Sequence, residues 1–152
     1  MIVPPMPRRF GYAGILPQLA CVLAAWFGPP EWQWSALAIG WAYAALIFGF
    51  LGGLWWGLAA AAPDEGRNAP GWLWVAAVTP SLFALATFLP WVFGASWPGP
   101  SLLALGAALL VTPLVDARLV TIRPVWWMRL RIPLSLSLGG LTIALGVAAL
   151  AL

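Results

Sequence analysis

The chain has 152 residues, 63% of them hydrophobic and only 7% charged, with a formal net charge of +3. That balance leaves too little polar surface to cover a soluble globule, so the solvent the chain is built for is lipid. It also argues against a nucleic-acid partner, which needs basic residues gathered on one water-facing surface: the 7 basic residues, all arginine, fall in three short polar stretches between apolar segments.

The first stretch holds Arg8 and Arg9 and is followed by an apolar run over 10–27. The run is longer than the usual core of a signal peptide, and no small-residue cleavage site precedes Pro29 and Pro30, so it is expected to be a retained helix. Gln18-Leu19-Ala20-Cys21 resembles a lipoprotein site only loosely, and the single cysteine, Cys21, reads as a small buried apolar residue. The next apolar segments cover 35–62, 71–93, 100–119 and 132–152, each roughly 18 to 28 residues and enough to cross a 30 Å hydrocarbon core. The turn signals Gly28-Pro29-Pro30-Glu31, Pro63-Asp64-Glu65-Gly66-Arg67-Asn68 and Gly94-Ala95-Ser96-Trp97-Pro98-Gly99 separate them. The fourth connection, 120–131, is the most basic and is expected to lie along the membrane surface, with Trp126 and Trp127 among the headgroups.

Arginine near a helix end is held on the cytoplasmic side. Placing Arg8 and Arg9, Arg67, and the group Arg118, Arg123, Arg129 and Arg131 on one face leaves no basic residue misplaced. The expectation is an all-α membrane protein, one domain over 1–152, with five transmembrane helices in a compact antiparallel bundle in the bacterial inner membrane. Its amino terminus is cytoplasmic and its carboxyl terminus outside. Of the 12 tryptophans, Trp26, Trp32, Trp34, Trp91 and Trp97 surround the outer connections and Trp72, Trp74, Trp126 and Trp127 the inner ones, as an aromatic belt does.

In the second span Ala45, Gly49, Gly53, Gly57 and Ala61 recur every four residues, with Gly52 adjacent. Small residues at that spacing let another helix approach closely in lipid, and packing within the chain is the expectation. A flat hydrophobic ligand (a quinone, a tetrapyrrole or a lipid) is the alternative occupant, held between the second and third spans by Gly49, Gly53, Trp55, Trp56, Trp74 and Ser81. Gln18 beside Pro17, Thr79 and Ser81 around Pro80, and Thr112 before Pro113 are expected to repair backbone bonds that proline breaks. Asp116 is the one acid within a span, and a carboxylate there is costly unless paired. A polar cytoplasmic cluster with Arg118, Arg129 or Arg131 follows.

The run from Tyr43 to Leu58, Gly11-Tyr12-Ala13-Gly14-Ile15-Leu16-Pro17, Val78-Thr79-Pro80-Ser81-Leu82, and Asp116 followed by Pro124-Val125-Trp126-Trp127-Met128-Arg129-Leu130-Arg131 resemble a small membrane-protein family of unknown function. That family is bacterial and includes the mitochondrial transmembrane protein sixty-nine. The resemblance implies a membrane location and a helical architecture but no chemistry. Where the family usually shows histidine after the paired glycines this chain has Trp55, and where it often has tyrosine after a tryptophan it has Trp127.

With no histidine or lysine and with Glu31, Asp64 and Glu65 in loops, neither acid-base catalysis nor a metal site is expected. No cofactor is required by the sequence. The chain is expected to be a non-catalytic accessory or assembly subunit of a larger membrane complex, its partners the bilayer and other membrane subunits.

Overall fold

The structure, a computed structural model, describes residues 2–64 and 66–152; Glu65 lies outside the described residues. The order of elements is α1 (Pro5–Ala13), α2 (Leu16–Phe27), α3 (Pro30–Ala60), α4 (Gly71–Val92), α5 (Gly99–Ala117) and α6 (Trp127–Ala151). Five helical segments are long and apolar enough to cross a membrane, with α1 and α2 together making the first of 23 residues. At about 1.5 Å per residue the 31 residues of α3 extend about 46 Å, more than a hydrocarbon core requires, so this helix must tilt or emerge from it.

Prolines mark the starts. Pro5, Pro17, Pro30 and Pro100 sit in the first positions of their helices, where a missing N–H costs nothing because it has no intrahelical acceptor. One of these starts divides the first span, expected as one helix disturbed at Pro17, into two helices. At Gly14 the chain turns: its N–H reaches back to both Phe10 and Gly11 carbonyls, and α2 restarts at Leu16. The Tyr43 hydroxyl of α3 donates to the Gly14 carbonyl at 2.5 Å and so satisfies the break. Gln18 was expected to do so, but it is fully buried and its amide donates across the bundle to Thr142 Oγ1 of α6 at 2.9 Å. The repair expected beside Pro113 is present: Thr112 Oγ1 donates at 2.8 Å to the Leu109 carbonyl, which Pro113 leaves without its usual donor. Thr79 donates to Val75 rather than to Ala76, whose carbonyl Pro80 frees, and Ser81 is exposed.

The core runs along the bundle in three groups. Cys21, Ala25, Leu37, Leu102 and Leu145 fill one end; Ala44, Phe48, Leu51, Leu105 and Leu109 the middle; Trp55, Ala59, Leu73, Ala77 and Leu119 the other end. The outside is apolar as well, with Leu46, Leu82 and Leu136 all exposed, so helix association rests on close packing rather than on removal of apolar surface from water. The approach of α5 to α6 is close along several turns. A methyl group at Gly106 would lie 2.9 Å from the Gly139 carbonyl oxygen, one at Gly139 3.0 Å from the Gly106 carbonyl oxygen, and one at Gly146 3.0 Å from the Leu103 amide nitrogen. These distances mean backbone on backbone. The α3–α4 pair closes at Gly52, where a methyl would collide with the Ala77 carbonyl oxygen.

The α5–α6 connection is shorter than its sequence suggests. The chain turns at once after α5, with the Ile122 and Arg123 amides bonded to the Leu119 carbonyl, and α6 begins at Trp127. Arg129 and Arg131 therefore belong to the first turns of α6.

Candidate functional site

Asp116, in the last turn of α5, is fully buried and accepts three side-chain donors. The indole N–H of Trp55 from α3 reaches Oδ1 at 2.9 Å, that of Trp127 from α6 reaches the same oxygen at 3.0 Å, and Arg131 Nε reaches Oδ2 at 2.8 Å. Arg131 is itself only 6% exposed and extends the network, its Nη2 donating to Thr112 Oγ1 at 3.3 Å. Thr112 in turn shares a 3.1 Å hydrogen bond with Ser135. Three helices thus meet on one carboxylate.

Helical spacing explains the convergence. Thr112 and Asp116 are four apart on α5, and Trp127, Arg131 and Ser135 are four apart on α6, so each set lies along one helix face and the two faces oppose each other. In an apolar surround a lone carboxylate is expensive, and removing one member of such a pair typically costs about 3–5 kcal/mol. Three of the roughly four acceptor positions of a carboxylate are filled here by the protein itself. The arrangement is a joint that fixes α3, α5 and α6 at one end of the bundle.

Of the arginines expected to meet Asp116, Arg131 makes the ion pair, with Nε 2.8 Å from Oδ2. Arg118 caps the end of α5 and is exposed, and Arg129 is exposed on α6. Trp127, Thr112 and Ser135 were missed as members of the cluster. The four-residue spacing on α5 and α6 is the signal that finds them.

The small-residue row of α3 divides between two environments. Gly52, outside the four-residue series, packs against α4, whereas methyl groups at Gly53 or Gly57 would meet nothing within 4 Å and Ala61 is exposed. Gly49 and Ala45 are half-buried, and a methyl at Gly49 would touch only Ser81 Oγ, at 3.4 Å. Packing within the chain therefore falls chiefly on Gly52, with Ala45 against the middle of the core, while Gly53 and Gly57 face open space. Gly49, Gly53, Trp56 and Ser81 do share a groove of about 340 Å³ between α3 and α4. Trp74 stands beside it, edge-on to Trp56 with ring centroids 4.9 Å apart. Trp55 points the other way, at 3% exposure, into the Asp116 joint.

Two larger cavities adjoin that joint. On one side α4 touches α5 at few points, and the cleft between them, about 540 Å³, is walled by Pro80, Ala104, Ala107 and Ala108, with Trp55 and Thr112 in its lining. On the other, a slot of about 420 Å³ between α1, α3 and α6 has Trp127 and Arg131 in its wall. Among the described residues no group of three or more His, Cys, Asp or Glu side chains is placed to hold a metal ion.

No curated protein and no solved structure matches the chain. A family model described as "Protein of unknown function (DUF3429)" matches residues 3–148, and since that is nearly the whole chain, this protein belongs to that family.

Proposed function

We propose that the chain is a non-catalytic, multi-pass protein of the bacterial inner membrane that serves as an accessory or assembly subunit of a larger membrane complex. The observation that carries this reading is the isolation of α4. It is held by α3 through Gly52, and it stands between two open apolar clefts, the 540 Å³ cleft towards α5 and the 340 Å³ groove over Gly49 and Gly53. The wall of the first includes Ala76, Ala104, Ala107 and Ala108 and that of the second Gly49, Gly52, Gly53 and Ala77, small residues that admit a neighbouring helix at short range. The joint at Asp116 adds to it: the polar side chains that could do chemistry there are bonded to one another. The arginines at chain positions flanking the spans favour an antiparallel bundle with its amino terminus cytoplasmic and its carboxyl terminus outside. Kinship with the mitochondrial transmembrane protein sixty-nine is part of the same proposal.

Gentle solubilisation followed by mass measurement of the intact assembly tests it. A defined complex containing a second membrane protein is the expected result. A lone, monodisperse chain in several mild detergents and in native lipid overturns the reading.

A second reading has its own observation. The groove of Gly49, Gly53, Trp56 and Ser81 has the edge-on Trp56–Trp74 pair at its side and one hydroxyl for orientation, as a flat ligand such as a quinone or tetrapyrrole requires. Quenching of tryptophan fluorescence by an added quinone or porphyrin, lost on Trp56→Leu, supports that reading. Unchanged fluorescence in the wild-type protein removes it.

A further inference from the structure

We propose that the slot between α1, α3 and α6 binds a single acyl chain of an anionic amphiphile, with the anionic head at Arg131 and the chain running towards Leu138. Its walls are apolar on every helix: Phe10 and Gly11 from α1, Ile47 and Leu54 from α3, Leu134 and Leu138 from α6. Its polarity is ordered along its length. Trp126, Trp127 and Arg131 line it at the start of α6 and Leu134 and Leu138 further in, a run from Trp127 to Leu138 of about 16 Å at 1.5 Å per residue. A cavity of about 420 Å³ that is long, apolar along its length and polar at one end has the shape of a fatty chain with its head outward.

The polar end selects for negative charge. A guanidinium carries five N–H donors; Arg131, nine-tenths buried, gives Nε to Asp116 and Nη2 to Thr112, and its Nη1 has no acceptor among the described residues. Pro7 lies on the rim of the slot, and Arg8 and Arg9, both exposed, follow it immediately. Among the described residues the acid bonded to this end of the slot is Asp116, through Trp127 and Arg131, and it is already enclosed by its three donors. An incoming phosphate or carboxylate therefore meets excess positive charge, while a zwitterionic or neutral head gains less. The chain gains close packing against the slot walls, and the head gains the charge, so both contribute.

The test uses the full chain in nanodiscs containing equal amounts of phosphatidylglycerol and phosphatidylcholine, with oleate added in a second arm, and reads retained lipid by native mass spectrometry. The expected result is one retained phosphatidylglycerol per chain, or one oleate in the second arm, at least tenfold over phosphatidylcholine. Leu54→Trp, which fills the slot, is expected to cut retention at least tenfold, and Val147→Trp, on the outer surface of α6, to leave it unchanged. Equal retention of both phospholipids, or full retention in Leu54→Trp, overturns the proposal. Should Leu54→Trp fail to fold, a photoreactive fatty acid on the wild-type protein decides. Labelling within 47–54 and 130–138 supports the slot, and labelling confined to other segments overturns it.

Discussion

The indole nitrogens of Trp55 and Trp127 meet on the same carboxylate oxygen, Oδ1 of Asp116, at 2.9 and 3.0 Å. One residue is near the end of α3 and the other opens α6, so this single oxygen ties both helices to the last turn of α5. A hydrogen bond to a charged group in such a setting contributes about 1.5–3 kcal/mol.

Trp55→Phe and Trp127→Phe should each destabilise the folded bundle by about 1.5–3 kcal/mol, from loss of one donor to the carboxylate. Unfolding in mixed micelles of increasing denaturing-detergent content measures it. Trp55→Phe should cost more, since Trp55 is also packed against Ala59 and Leu73. Wild-type stability in both variants would mean that the indoles are not bonded to Asp116.

Breaking the ion pair from either side should cost about 3–5 kcal/mol, because each single variant leaves one buried charge alone. Arg131→Met and Asp116→Leu are the single variants. The double variant should recover part of that loss, giving a coupling energy above about 1 kcal/mol in a double-mutant cycle. Additive effects would contradict the pairing.

Thr112→Val should destabilise by about 1–3 kcal/mol through three losses at once. The Leu109 carbonyl loses its donor beside Pro113, Arg131 Nη2 loses its acceptor, and the Ser135 hydroxyl loses its partner. Thr112→Ser keeps the hydroxyl and should stay within about 1 kcal/mol of wild type in the same unfolding measurement.

Glycines on the two helix faces should behave oppositely. Gly139→Leu forces a side chain against the Gly106 carbonyl and Leu110, and Gly52→Leu against the Ala77 carbonyl, so both should prevent correct folding. Gly53→Leu and Gly57→Leu enter open space and should leave the fold intact, with at most a gain of helix propensity of about 1 kcal/mol per site. Circular dichroism and elution profile in detergent separate the two classes.

That the chain makes five helical segments long and apolar enough to cross a membrane was legible because bilayer thickness fixes the length of an apolar helix; the starts of α3 and α6, at Pro30 and Trp127, fall before the apolar runs over 35–62 and 132–152 and were less so. The need of Asp116 for an arginine was legible too, since a carboxylate inside a span is costly alone. Which arginine it takes was not, because the apolar run begins only at Ile132 and nothing in the sequence marks Arg131 as a residue in the second turn of α6. The facing of α3 was hidden for a different reason. That helix is apolar nearly all round, so nothing in its pattern says which side is inside. A four-residue repeat also drifts about 40° per step at 3.6 residues per turn, so the row from Ala45 to Ala61 sweeps round the helix instead of marking one contact face. The break at Gly14 was invisible because Gly11, Gly14 and Pro17 are tolerated equally by a kinked helix and by two short ones.

The measurement that bears most directly on the proposed role is the mass of the intact assembly released from native membranes by the wild-type chain and by the Gly53→Leu, Gly57→Leu double variant. Because that variant should fold normally, association is the quantity it isolates. The expected result is a complex with a second membrane protein for the wild type and the chain without that partner for the variant. The same complex for both, or a solitary chain for both, would contradict the account.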